Sequence, residues 1–223
     1  MKRLMTVLCT LLLFAFLAPI ASATPELFEG YVVLDGSTFD LINDLSFTGL
    51  GSISVTMPMG NGGSHFVGLY VDYEIDEAAN TFFNEYGSVT GAPPAGLSWE
   101  IDDPFLGDIY DNFFASGAAA SALDNTNSVP AAAPNDVAMA LGWNFVMTDD
   151  DIASISFLIS EILPNGFYLA QTDPDSPYTF YLSSGMSITE GGEPVIPEPG
   201  TWVLLLTGLT MIGAATKRYG RRS

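Results

Sequence analysis

Apolar and polar residues alternate with a period of two through much of the chain, the spacing of strands with unlike faces. Ile53, Val55 and Met57 alternate with Ser52, Ser54 and Thr56. Val67, Leu69, Val71, Tyr73 and Ile75 alternate with Gly68, Tyr70, Asp72 and Glu74, which predicts a half-buried strand with one wet face. Val137, Met139, Leu141, Trp143, Phe145 and Met147 form a third run. Ile155, Phe157 and Ile159 form a fourth, with Leu158 interrupting its wet face, and Tyr178, Phe180 and Leu182 a fifth. Turn chemistry separates them: Asp35-Gly36, Gly60-Asn61-Gly62-Gly63, Pro93-Pro94, Pro164-Asn165-Gly166 and Asp173-Pro174-Asp175. Many strands between such loops predict an all-β fold, a β-sandwich of jelly-roll-like order, over residues 24–193. Residues 102–127 are less regular. There Phe105, Ile109 and Phe113 are spaced for a short helix that Gly107 weakens, so the stretch reads as a long excursion between strands.

The two ends follow other rules. Lys2 and Arg3 precede a mostly apolar stretch, and Ala21-Ser22-Ala23 supplies the small residues that a signal peptidase reads. Residues 1–23 are therefore expected to be a signal peptide cut after Ala23. The lone cysteine, Cys9, lies inside that apolar stretch, with Leu8 rather than a small residue before it. Residues 194–223 carry three features in order. Pro197-Glu198-Pro199 comes first. Residues 201–216 then hold sixteen uncharged positions beginning Thr201-Trp202. Lys217, Arg218, Arg221 and Arg222 close the chain. Sixteen helical residues span about 24 Å, so Trp202 at one interface and snorkelling Lys/Arg at the other complete a membrane crossing. Both basic ends belong on the cytoplasmic side and the body outside.

Charge sharpens this partition. The chain has 223 residues, 26 acids and 6 Lys or Arg, for a net charge of −20. Every basic residue lies in the two ends, so residues 24–216 hold no Lys or Arg. An acidic body without cations repels phosphate backbones and anionic lipid, which argues against nucleic acid as a partner. The apolar fraction of 48% is ample for a core.

The tail, from Ile196 to Arg222, resembles the PEP-CTERM sorting signal. That family is found in Gram-negative bacteria that make exopolysaccharide, and exosortase, a membrane-embedded transpeptidase-like enzyme, is thought to cleave near its Pro-Glu-Pro. The resemblance implies that Pro197, Glu198 and Pro199 are the recognition motif. It also implies that the membrane helix belongs to the precursor only, with delivery from the inner membrane to the cell surface or matrix. Two prolines suit the role, because they hold the neighbouring bonds extended and accessible. Segments 135–143, 155–157, 166–169 and 172–176 are similar to the bodies of other such precursors, which brings no activity with it.

The body's residue types limit its chemistry. With no Lys, Arg or Cys and only His65, it has no lysine Schiff base, cysteine nucleophile, multi-histidine zinc site or phosphate clamp. His65 starts a strand after a Gly-rich turn, with no Gly-x-Ser-x-Gly elbow to accompany it. Two carboxylates suffice for a glycosidase, and Glu100, Asp102 and Asp103 near Trp99, or Asp72 and Glu74 beside Tyr70, are candidates. Trp99 and Tyr110 are candidate sugar platforms. Calcium is the most plausible ion. Candidate ligands are Asp149, Asp150 and Asp151, Asp173 with Asp175, and Asp108 with Asp111, none at EF-hand spacing. The expected role is structural or adhesive and not enzymatic, linked to exopolysaccharide. A carbohydrate-binding module is the alternative, and a carboxylate glycosidase stands behind it.

Overall fold

The computed structural model describes residues 26–190 apart from 48, 76–80, 82 and 118–119. The expected signal peptide, residues 191–193 and the sorting tail with its membrane helix lie outside the described residues. Among the described residues, no helix is long and apolar enough to cross a membrane.

The chain forms β1 (Glu26–Leu34), β2 (Ser37–Asp40), β3 (Gly51–Met57), β4 (Gly63–Glu74), β5 (Tyr86–Thr90) and β6 (Leu97–Asp102). It continues through α1 (Ile109–Ala115), β7 (Ala138–Met147), β8 (Asp151–Ser160), β9 (Tyr168–Thr172) and β10 (Thr179–Glu190). The strands pair antiparallel throughout both sheets. One sheet has the order β2-β1-β4-β7-β6 and the other β3-β8-β10-β9-β5.

One apolar core lies between the sheets. From the first come Val67, Leu69, Val71 and Tyr73 of β4 with Met139, Leu141 and Trp143 of β7; from the second come Ile155, Phe157, Leu169, Phe180 and Leu182. Each fully buried side chain of this size contributes about 1.5–3 kcal/mol by leaving water. Two contacts lock the layers together. Tyr73 stacks on Phe180 with centroids 4.8 Å apart. Trp143 Nε1 donates to Ser184 Oγ at 2.7 Å, giving the buried indole its partner.

β4 departs from expectation. Its second face is dry, not wet, because Phe66, Tyr70 and Asp72 are all fully buried. A smaller core covers that face, built from Val33, Phe66, Tyr70, Ile109, Phe113, Leu123, Ala138 and Ala140. Small residues make the bed for it. Gly68 faces Gly142 across the β4–β7 ladder. A Cβ on Gly68 would stand 2.8 Å from Phe113, and one on Gly142 would stand 2.5 Å from Phe66. The excursion thus folds back as a lid, with Ile109 and Phe113 of α1 pointing down, whereas Phe105 precedes the helix and is 68% exposed. β10 runs to its last residue, Glu190, which pairs with Asp151.

Gly142→Val is expected to lower the unfolding free energy by about 1–3 kcal/mol through overpacking against Phe66. Urea denaturation measures this, and unchanged stability would mean that the lid does not seat tightly on β4 and β7.

Candidate functional site

Strand register gathers carboxylates at one end of the lid-covered face. Glu29 of β1 pairs with Asp72 of β4, Asp72 pairs with Ala138 of β7, and Ala138 pairs with Asp102 of β6. Two residues on along the strand, Glu74 follows Asp72, and Asp136 precedes β7 by two residues. Two acidic groups result, Asp72 with Glu74 and Asp136, and Glu100 with Asp102 and Asp108. In each, one carboxylate oxygen per residue lies within 4.8 Å of the others.

The second group is organised by hydrogen bonds. Glu100 is fully buried and its carboxylate accepts from Asn112 Nδ2 at 3.1 Å and from the Asp124 N–H at 3.2 Å. Asp102 accepts the N–H groups of Asp103 and Asp108 at 2.8 and 2.9 Å. Asp103 accepts those of Phe105 and Leu106, both at 2.8 Å, and a side-chain N–H of Asn135. These acids act as acceptors for loop N–H groups, which fixes the entry and exit of the lid. Gly107 is required beneath it, since a Cβ there would stand 2.1 Å from the Asp102 carboxylate. Burial outweighs the donors at Glu100 and pushes its carboxyl from the ordinary 4.5 up to about 7.

The first group is different. Asp72 is fully buried and neither of its carboxylate oxygens has a hydrogen-bond partner among the described residues. Burial, reinforced by the charges of Asp136, Glu74, Glu29 and Glu85, pushes its carboxyl up to about 9. The Tyr70 hydroxyl, two residues away on the same strand face, is likewise buried without a partner. Burial and then the Asp72 charge raise its phenol well above the usual range. Tyr31 lies opposite Tyr70 and donates to Glu29 Oε1 at 2.6 Å. Nearby, Glu85 accepts the Ile75 N–H at 3.1 Å and a side-chain N–H of Gln171, whose Nε2 also reaches the Tyr73 carbonyl. Burial pushes Glu85 up to about 8. The donor set is all oxygen, which suits a hard cation such as calcium or magnesium rather than a soft metal.

The other sequence candidates lie elsewhere. Asp149 Oδ1 accepts the Gly62 N–H at 3.0 Å, which ties the Gly60–Gly63 turn to the β7–β8 turn. Asp151 accepts the N–H and hydroxyl of Thr148, and Asp150 is exposed. Asp173 accepts the Asp175 N–H at 2.7 Å, and Asp175 holds Thr81 and Asn84 at 2.7 and 2.9 Å. Asp111 sits in the first turn of α1, and Asp108 immediately precedes it. Trp99 packs toward the core between the sheets, 6.3 Å from Phe167. Tyr110 rests on the opposite face, among Tyr31, Tyr70 and Phe114. The two aromatics therefore do not form one platform. His65 is 9% exposed at the start of β4, bonded to Asp35 Oδ2 at 2.8 Å and to the Asn61 carbonyl at 2.7 Å. Burial alone would lower its pKa, but these two partners more than reverse that.

Sequence reading paired Asp72 with Glu74 but missed Asp136, which is 62 residues further on. Nothing local in the chain announces that juxtaposition; only the β4–β7 register does. No family model, curated protein or solved structure matches this chain.

Glu100 makes stability depend on pH. A carboxyl with a raised folded pKa contributes most below about pH 4.5, and its contribution is lost as pH rises to about 7. Glu100→Gln keeps an acceptor and removes the titration. The variant is expected to gain on wild type between pH 4.5 and 8, by about 1–3 kcal/mol. Urea denaturation across that range measures it, and parallel profiles would refute the assignment.

Proposed function

We propose that this chain is an exported, non-enzymatic surface or matrix protein whose sandwich body is delivered by an exosortase-type sorting tail. The order of Pro197-Glu198-Pro199, the uncharged stretch 201–216 and the terminal Lys/Arg cluster carries this reading. β10 ends at Glu190, with six residues between it and Pro197, so the folded body is connected to the motif by a short spacer. On this reading exosortase and signal peptidase are partners during export. The Lys and Arg residues are topological devices, and the working domain is the acidic body alone. Repeated crossing of the chain between the two sheets, as at β2–β3, β3–β4, β4–β5 and β5–β6, supports a jelly-roll-like sandwich.

A structural or adhesive role suits the surfaces. A shallow groove on the second sheet is lined by Ser54, Thr56, Ser154, Ser156 and Ser187 together with Val55, Ile155, Gly185 and Met186, a mixture of hydroxyls and apolar groups suited to an exopolysaccharide partner. Glu100, Asp102 and Asp103 are engaged in holding loop N–H groups, which favours a structural use of those acids over glycoside hydrolysis.

Replacing Glu198 and Pro199 by alanine in the native host is expected to leave full-length precursor in the inner membrane, with little or no processed body at the surface. Fractionation and immunoblotting read this out. Unchanged processing would make the tail an ordinary anchor and overturn the sorting reading.

A further inference from the structure

The Asp72 carboxylate is the least compensated polar group described in the molecule. It is fully buried, and both oxygens lack a hydrogen-bond partner among the described residues. An ionised carboxylate in that position costs several kcal/mol unless a positive charge meets it. Proteins usually supply Lys or Arg, and this body contains neither. The oxygens around Asp72 make the problem worse: Glu74 and Asp136 lie within 4.8 Å, and Glu29 is its cross-strand neighbour. The Tyr70 hydroxyl is a second and independent sign. It is a neutral group, fully buried and unpartnered, on the same strand face as Asp72. Asp72 within the carboxylate cluster and the Tyr70 hydroxyl on the same strand face are both buried and unpartnered among the described residues, so oxygen donors gather there with no Lys or Arg in the body to meet them.

We propose that Asp72, Glu74 and Asp136 bind one calcium ion, which pins β4 to the segment entering β7 beneath the lid. The donor set suits calcium, which takes six to eight oxygens at about 2.3–2.6 Å in flexible geometry, where magnesium demands near-ideal octahedral order. Carboxylate oxygens within 4.8 Å of one another can therefore surround calcium with little movement. The exported environment that the tail implies is also one where calcium is plentiful, but the site stands on its geometry and does not depend on the sorting reading. Binding joins residues 72 and 136 across the gap that holds the whole lid, so it would stabilise the lid as well as the sheet.

The probes are Ca²⁺ and the luminescent substitute Tb³⁺, titrated into the full chain purified in detergent. One Tb³⁺ per chain is expected, sensitised by nearby tyrosines such as Tyr70, displaced by Ca²⁺, with Ca²⁺ raising Tm. Asp72→Asn is expected to weaken Tb³⁺ binding about tenfold or more and to abolish the Tm rise. The double variant D149N/D151N is expected to bind as wild type does. Far-UV circular dichroism without metal checks that each variant folds, and Asp136→Asn and Glu74→Gln serve if Asp72→Asn does not. No saturable binding at millimolar Ca²⁺, full binding by the Asp72 or Asp136 variant, or loss of binding in D149N/D151N would each overturn the proposal. Failure here would leave the sorting reading intact, because that is read from precursor processing alone.

Discussion

The structure is governed by a missing charge. Between its two basic ends the chain carries acids but no Lys or Arg, so every buried carboxylate must find an N–H donor, a proton or a metal. Most of the acids near the lid take the first route. Buried Asp102 and Asp103 accept four backbone N–H groups between them, and acids at exposed turns do the same: Asp35 accepts the Phe66 N–H and a His65 bond, and Asp149 accepts the Gly62 N–H. Each bond fastens a loop to a strand end. The acidity that looks like a solubility device in the composition therefore also acts as the loop-fastening chemistry, in the role that mixed salt bridges often fill elsewhere. Glu85 and Glu100 combine donors with burial strong enough to lift their pKa values to about 8 and 7.

That dependence explains why residues 102–127 fold as a lid. The outer face of β4 and β7 carries Gly68, Ala138, Ala140 and Gly142, too small to cover themselves. Ile109, Phe113 and Leu123 supply the missing volume from above. α1 has only seven residues and no side-chain N-cap, so little of its stability is intrinsic. Packing below and carboxylate-fixed loops on either side hold it in place.

How much of this the sequence revealed varied with the kind of signal. β3 and β8 were plain, because each has one core face and one polar face, and the exposed Ser and Thr positions mark the period. β4 was visible as a strand, but its second face was misjudged: Tyr70 and Asp72 look polar, and only the lid, brought in from 40 residues away, makes that face dry. β1 was hidden by the register shift between Leu27 and Glu29, which interrupts the alternation. β5, β6 and β9 have only five or six residues each, too few for a period to declare itself. Asp136 lay beyond sequence reasoning for a different reason, since its partners are set by cross-strand pairing.

The same logic separates the two acidic groups, which look equivalent in composition. Glu100, Asp102 and Asp108 lie where a loop turns back, and turning loops offer N–H groups. Asp72 lies in the middle of a sheet, where its neighbours' N–H groups are already committed to the β1–β4 and β4–β7 ladders. Neither of its oxygens has a hydrogen-bond partner among the described residues, which leaves protonation or a cation. A neutral acid buried without a partner would sacrifice stability for nothing the fold needs, whereas a cation would turn the same carboxylates into a cross-link between β4 and the chain entering β7.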